Sequence, residues 1–269
     1  MKTTPTRREV MAILNVTPDS FFAESRAEER DALRLRVESL LADGADIIDI
    51  GGCSTRPGAD DVPIEVEMSR VRAGVEAARE VAPMVTLSID TFHSDVAEMV
   101  LRRWENVIVN DITGGERDPR IVEVAAYHRA PMVIMHSRGN PRTMQSLTEY
   151  GDVVTEVAEW LERRADHLRV KGVEEIILDP GIGFAKSDEQ NFALLRGLER
   201  IASLGHRVLV GISRKSFICR TLGITPEEAL EATTALHWSL LERGADILRV
   251  HDPLAAKQVI TLFEKLQQP

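Results

Sequence analysis

Short apolar runs recur along the whole 269-residue chain, separated by stretches in which charged and apolar positions alternate in turns. The runs are Val10 to Val16, Ala45 to Gly51, Met84 to Asp90, Asn106 to Ile112, Pro131 to Ser137, Glu175 to Gly181, Arg207 to Ser213 and Ala245 to His251. Each is nearly continuous in apolar residues. That pattern suits strands covered on both faces, as in a parallel sheet wrapped by helices. The intervening stretches read as amphipathic helices. In the fifth, Val153, Val157, Trp160, Leu161, Ala165 and Leu168 recur every three or four residues, with Glu156, Glu159, Glu162, Arg163 and Arg164 between them. Two helix exits repeat: LADGADII (Leu41 to Ile48) and LERGADIL (Leu241 to Leu248). In each a glycine ends a helix and a strand begins within two residues, so one turn is used twice.

Eight strand–helix alternations without an internal linker predict a single-domain α/β protein, a (β/α)8 TIM barrel over residues 10–269 after a flexible tail at 1–9. The rival is an open doubly wound sheet. It would usually carry a glycine-rich phosphate loop after an early strand. Neither GxGxxG nor GxxxxGK[ST] occurs, and GIGFAK (Gly181 to Lys186) has the spacing of neither.

Composition narrows the function classes. A formal net charge of −10 argues against a general nucleic-acid binder. It does not argue against a small anionic substrate, since a few local cations can dominate one pocket. Two cysteines, Cys53 and Cys219, form no CxxC pair, which disfavours a disulfide scaffold or structural zinc. No apolar run approaches the ~20 residues of a membrane span, and the polar start MKTTPTRRE lacks a secretory apolar stretch. The expected location is the cytoplasm.

In barrels of this kind the active site lies at the C-terminal strand ends. Here those ends carry Asn15, Thr55 with Arg56, Asp90, Asn110 with Asp111, His136, Asp179, Ser213 with Arg214 and Lys215, and Arg249 with His251. Asp90, Asn110 and Asp179 suit a flat heterocycle with amino and ring N–H groups, because a carboxylate accepts two parallel hydrogen bonds. Arg56, Lys215, Arg249 and His251 suit phosphate or carboxylate groups. Simpler readings exist for single residues: Asp90 and Asp179 as helix caps, His93 as a helix start, His237 as core.

These segments resemble the dihydropteroate synthases from about Met11 to about Asp252. The matching stretches are LNVTPDSF (Leu14 to Phe21), DIGGCSTRPGA (Asp49 to Ala59), SIDT (Ser88 to Thr91) and VNDI (Val109 to Ile112). MH-x-RGNP (Met135 to Pro141), LDPGIGFAK (Leu178 to Lys186), SRKSFI (Ser213 to Ile218) and LRVHD (Leu248 to Asp252) follow in order. The resemblance implies an Mg²⁺-dependent enzyme that joins a 6-hydroxymethyl-7,8-dihydropterin diphosphate to 4-aminobenzoate. It implies a pterin set of Asp90, Asn110, Met135, Asp179, Phe184 and Lys215. It places Asn15, Thr55, Arg249 and His251 at the diphosphate, with Asn15 also at the metal. It gives Phe21, Thr55, Arg56, Pro57 and Ser213 to an aminobenzoate pocket, the target of sulfonamides. Loops Thr17 to Glu29 and Cys53 to Pro63 would close over the mouth, and a homodimer is implied.

Cys53 stands where the family often has Glu, Ser137 where it often has Met, and FAESRAEER lacks the family's glycine-rich form. Other readings are a pterin-dependent methyltransferase and a paralogue that binds pterin without turnover. A metal-hydrolase barrel is weaker, because strand one has no His-x-His.

Overall fold

The computed structural model describes residues 7–17, 26–53, 62–139 and 143–268. Eight parallel strands follow chain order round a closed barrel: β1 (Glu9–Asn15), β2 (Ile47–Gly51), β3 (Thr86–Asp90), β4 (Val107–Asp111), β5 (Met132–Met135), β6 (Ile176–Asp179), β7 (Arg207–Val210) and β8 (Ile247–Val250). Closure is made by β1, which pairs with β2 on one side and with β8 on the other. The helices on the outside are α1 (Arg26–Ala42), α2 (Ile64–Val81), α3 (Ser94–Leu101), α4 (Arg120–His128), α5 (Val153–Val170), α6 (Asp188–Arg196), α7 (Leu198–Ala202), α8 (Ser216–Leu222), α9 (Leu230–Glu242) and α10 (Pro253–Gln267). Each strand lies within its predicted run, except that β1 begins one residue earlier, at Glu9, opposite Ile247.

The repeated exit is one turn used twice. Gly44 (φ 93°) and Gly244 (φ 95°) both occupy the left-handed region that ends a helix at low cost only with glycine. The aspartate two residues on then ties the turn to an adjacent strand. Asp46 accepts from the Val10 N–H at 3.0 Å and Asp246 from the Val208 N–H at 2.8 Å.

Side chains alternate between the barrel interior and the helix layer with period two. Met11, Ile47, Ile108, Val133, Ile177, Leu209 and Ile247 form one inward cluster. The opposite phase, including Val10, Ala12, Ile48, Val109, Ile134, Leu178, Val208 and Leu248, packs against the helices. On α5 the predicted stripe holds: Val153, Val157, Leu161, Ala165 and Leu168 are buried, and Asp152 caps the helix by accepting from the Val154 and Thr155 N–H groups.

Candidate active site

Two residues beyond the inward apolar cluster, the same phase brings Asp49, Asn110, Met135, Asp179 and Arg249 into the barrel mouth. Asp90, two residues past the buried Ser88 on β3, joins them. The period of the strand therefore selects which strand-end residues meet. Asp90, Asn110, Met135, Asp179 and Arg249 are brought together as the sequence implied.

Arg249 lies across the floor of this mouth. Its Nε donates to Asp49 Oδ2 at 2.7 Å and its Nη2 to Asp90 Oδ2 at 2.8 Å. Asn110 Nδ2 donates to the other oxygen, Asp49 Oδ1, at 3.2 Å. Burial pushes the Asp90 carboxyl up to about 7. The Arg249 charge opposes this, while Asp49 reinforces it, because two carboxylates share one guanidinium. Burial disfavours the Arg249 charge, but Asp49 and Asp90 outweigh that and hold its pKa above the ordinary value.

Asp179 is stacked in register with Met135 at the ends of β6 and β5. Its Oδ1 accepts from the Gly181 N–H at 2.7 Å, so the cap-like contact and the mouth position coexist. Burial raises its pKa, with the Lys215 charge as the main opposing influence. Lys215 precedes α8, and its ammonium donates to the Ile182 carbonyl and sits 4.8 Å from the centre of the Phe184 ring. Burial draws Lys215 down to about 8, against the pull of Asp179. Gly183, at φ 84°, leaves room for the lysine stem: a Cβ there would come within 3.1 Å of Lys215 Cδ.

His251 and Ser213 form a second pair at the rim. Ser213 Oγ accepts from the His251 backbone N–H at 3.2 Å and bonds its Nδ1 at 3.1 Å. Ser213 is buried, and its hydroxyl orients His251. Asn15, at the end of β1, is exposed. A Cβ added at Gly51 would lie 3.8 Å from both Asn15 Oδ1 and Asp90 Oδ2, so the two line one spot. Among the described residues no group of three or more His, Cys, Asp or Glu is placed to hold a metal. A single amide oxygen at the rim fits a hard cation that keeps water and substrate phosphates as its other ligands. Phe21, Thr55, Arg56 and Pro57 lie outside the described residues, as do most of both expected lid loops.

Three strand-end residues read as facing the mouth do not. Asp111 is in the outward phase and accepts from the Thr113 N–H at 2.7 Å, Thr113 Oγ1 at 2.8 Å and the Gly115 N–H at 2.6 Å. It shapes its own loop. Arg214 is turned to Asp252 in a two-pronged ion pair at 2.8 and 2.7 Å. His136, one residue past inward Met135, points out toward α5, edge-on to Trp160 with ring centres 5.2 Å apart. Burial, aided by the Lys186 charge, pushes His136 down to about 3, so it is neutral.

Sequence reasoning missed Asp49, Lys186 and Glu67. Lys186 is buried beneath the Gly181–Ala185 turn. Its ammonium donates to the carbonyls of Phe184 (2.9 Å), Gly181 (3.0 Å) and His136 (3.2 Å) and to His136 Nδ1 (3.1 Å). Glu67 on α2 accepts from Thr91 Oγ1 at 2.5 Å and faces His93 Nδ1 at 2.7 Å, bracing the turn after Asp90. Only Asp49 had a visible signal: an acid in the middle of an otherwise apolar strand run.

Residues 11–251 match the family model described as pterin binding enzyme. The chain is 44% identical to a dihydropteroate synthase of Synechocystis sp., over 97% of this chain and 90% of that protein. The dihydropteroate synthase of Xanthomonas albilineans with 4-aminobenzoic acid superposes with a TM-score of 0.89 at 36% identity, covering 98% of this chain and 94% of that one. The Thermus thermophilus enzyme in complex with 6HMPPP gives 0.81 at 35% identity, covering 97% and 94%. The barrel and its polar mouth are those of a pterin-binding enzyme. Within that class the chain belongs to the dihydropteroate synthase family.

Proposed function

We propose that this chain condenses 6-hydroxymethyl-7,8-dihydropterin diphosphate with 4-aminobenzoate, giving 7,8-dihydropteroate and diphosphate for folate synthesis. The observation that carries the reading is the polar layer of Asp90, Asn110, Asp179 and Lys215 beside Arg249, within a chain of this family. Relatives with 4-aminobenzoic acid or 6HMPPP bound support the same pair of substrates.

Asp179 and Asn110 offer an acceptor and an amide in the plane of a flat ring, with Met135 and Phe184 against its faces. Lys215 and Arg249 supply positive charge beside the acids. In the reaction the C–O bond between the pterin methylene and the diphosphate breaks, and the electron pair leaves with the diphosphate. The amine nitrogen then forms the new bond to that carbon and gives up one proton. Arg249 and His251 would stabilise charge as it builds on the leaving group. Asp90, as an anion, would stabilise the cation left on the pterin. Orientation of the amine does the rest, so no covalent enzyme nucleophile is required. Asn15 would contribute a ligand to Mg²⁺, which supplies charge neutralisation at the phosphates when bound. Thr55 would join the diphosphate site, and Phe21, Arg56 and Pro57 the aminobenzoate pocket beside the rim that Ser213 braces.

The reading includes one barrel domain over residues 10–269, a cytoplasmic location and a homodimer. Exposed Leu254, Leu262 and Leu266, spaced by multiples of four on α10, support self-association through an apolar helix face. A pterin-dependent methyltransferase is disfavoured by Lys215, Arg249 and His251 gathered at one mouth. Incubation with both substrates and Mg²⁺, followed by mass analysis, tests the function. A condensed dihydropteroate is expected. Pterin diphosphate bound but recovered intact would make the chain a pterin-binding paralogue instead.

A further inference from the structure

Resting on the synthase reading, we infer that Asp49 is a positioning residue, the fixed anchor of Arg249, and that Asp90 is its exchangeable partner.

The two carboxylates that share Arg249 are not equivalent. Asp49 is fully buried on β2, whereas Asp90 keeps 8% of its surface at the open end of β3. Asp49 Oδ2 lies 2.7 Å from both Nε and Nη2 of Arg249, whereas Asp90 Oδ2 meets Nη2 alone, at 2.8 Å. Because the guanidinium is a rigid plane, the two nitrogens on Asp49 fix its orientation, and giving up the single Asp90 contact leaves it in place. Nη1 makes no hydrogen bond among the described residues, and Arg249 retains 24% side-chain exposure. Gly211, alongside on the strand end of β7, leaves only ordinary contacts with the Arg249 stem: a Cβ there would stand 3.7 Å from Arg249 Cβ.

The remaining oxygen of Asp49 is occupied by Asn110 Nδ2. One buried carboxylate thus fixes both the amide that faces the ring and the cation that serves the anionic group. A pterin diphosphate entering the mouth would take the fork from Asp90, leaving Asp90 free to act on the pterin, while Asp49 keeps Arg249 in register with Asn110. A buried charge-assisted pair of this kind depends on both partners, since removing one leaves the other uncompensated.

The test is calorimetric titration of the whole chain and of Asp49→Asn, with pterin diphosphate and with the pterin alcohol that lacks the diphosphate. Loss of the anchor should cut affinity for the diphosphate by about 10–100-fold. Affinity for the alcohol should change by no more than about threefold, because the substituted amide keeps a carbonyl oxygen that can accept from Asn110. Equal losses for both ligands, or none for either, would overturn the assignment. A second measurement needs no variant at Asp49. In the wild-type chain the Arg249 Nε–H resonance, identified by its absence in Arg249→Lys, should stay protected from solvent exchange when pterin diphosphate is added. Loss of protection would mean that Arg249 leaves Asp49 and that no fixed anchor exists. The synthase reading fails separately, if the wild-type chain yields no condensed product.

Discussion

Asn110 and Asp111 are neighbours on β4 and face opposite ways: Asn110 donates into the barrel to Asp49 at 3.2 Å, while Asp111 accepts from the Gly115 N–H at 2.6 Å on the outside. The two positions should therefore respond differently to truncation. Asn110→Ala should weaken pterin binding by about 1–3 kcal/mol and change stability less. Asp111→Ala strips the acceptor from three donors of its loop and should lower unfolding stability by about 1–3 kcal/mol. Titration calorimetry and denaturant unfolding on both variants separate the effects. A reversed pattern would mean that the phase assigned to β4 is wrong.

Asp179 should be the strongest single determinant of ring recognition. Asp179→Ala would leave the pterin's donors and the Gly181 N–H without their acceptor. A loss on the order of 1–3 kcal/mol or more in pterin affinity is expected. Unchanged affinity by calorimetry would remove Asp179 from the site.

Activity should follow a bell-shaped dependence on pH. Asp90, raised to about 7, must be ionised, so activity falls as pH drops below that value. Lys215, lowered to about 8, must be protonated, so activity falls again above it. Lys215→Arg keeps the charge to high pH and should erase the alkaline limb even where turnover drops. An unchanged alkaline limb in that variant would assign it to another group.

His237 should make the chain acid-sensitive in a separable way. It is buried on α9, neither ring nitrogen has a hydrogen-bond partner among the described residues, and burial lowers its pKa to about 4. The unfolded chain takes up this proton near 6.5 and the folded chain only near 4. Its contribution is therefore intact above about pH 6.5 and lost progressively toward 4, amounting to roughly 3 kcal/mol. Unfolding of wild type and His237→Leu at pH 7 and pH 5 checks this. The variant should lose less stability on acidification, and parallel losses would contradict the assignment.

The barrel was legible because strands covered on both faces must be apolar throughout, and eight such runs appear in order. The same continuity hides the phase of each strand. Without alternation, nothing in VNDI says that Asn110 points in and Asp111 out, and His136 looked as available as Met135. Asp49 was the exception, since an acid amid apolar residues marks an inward polar position. The staple that Lys186 makes to three carbonyls was not legible, because it depends on how the Gly181–Ala185 turn folds back over His136. Gly181 sits at φ 67°, and a Cβ there would collide with the His136 carbonyl oxygen.

The most direct test of the central claim is diphosphate release from the pterin diphosphate with Mg²⁺, followed with and without 4-aminobenzoate and repeated with Arg249→Ala. Release that depends on the amine, equals the dihydropteroate formed and falls steeply in the variant is the expected result. Release independent of the amine, or no release from a chain that binds the pterin diphosphate tightly, would contradict the account.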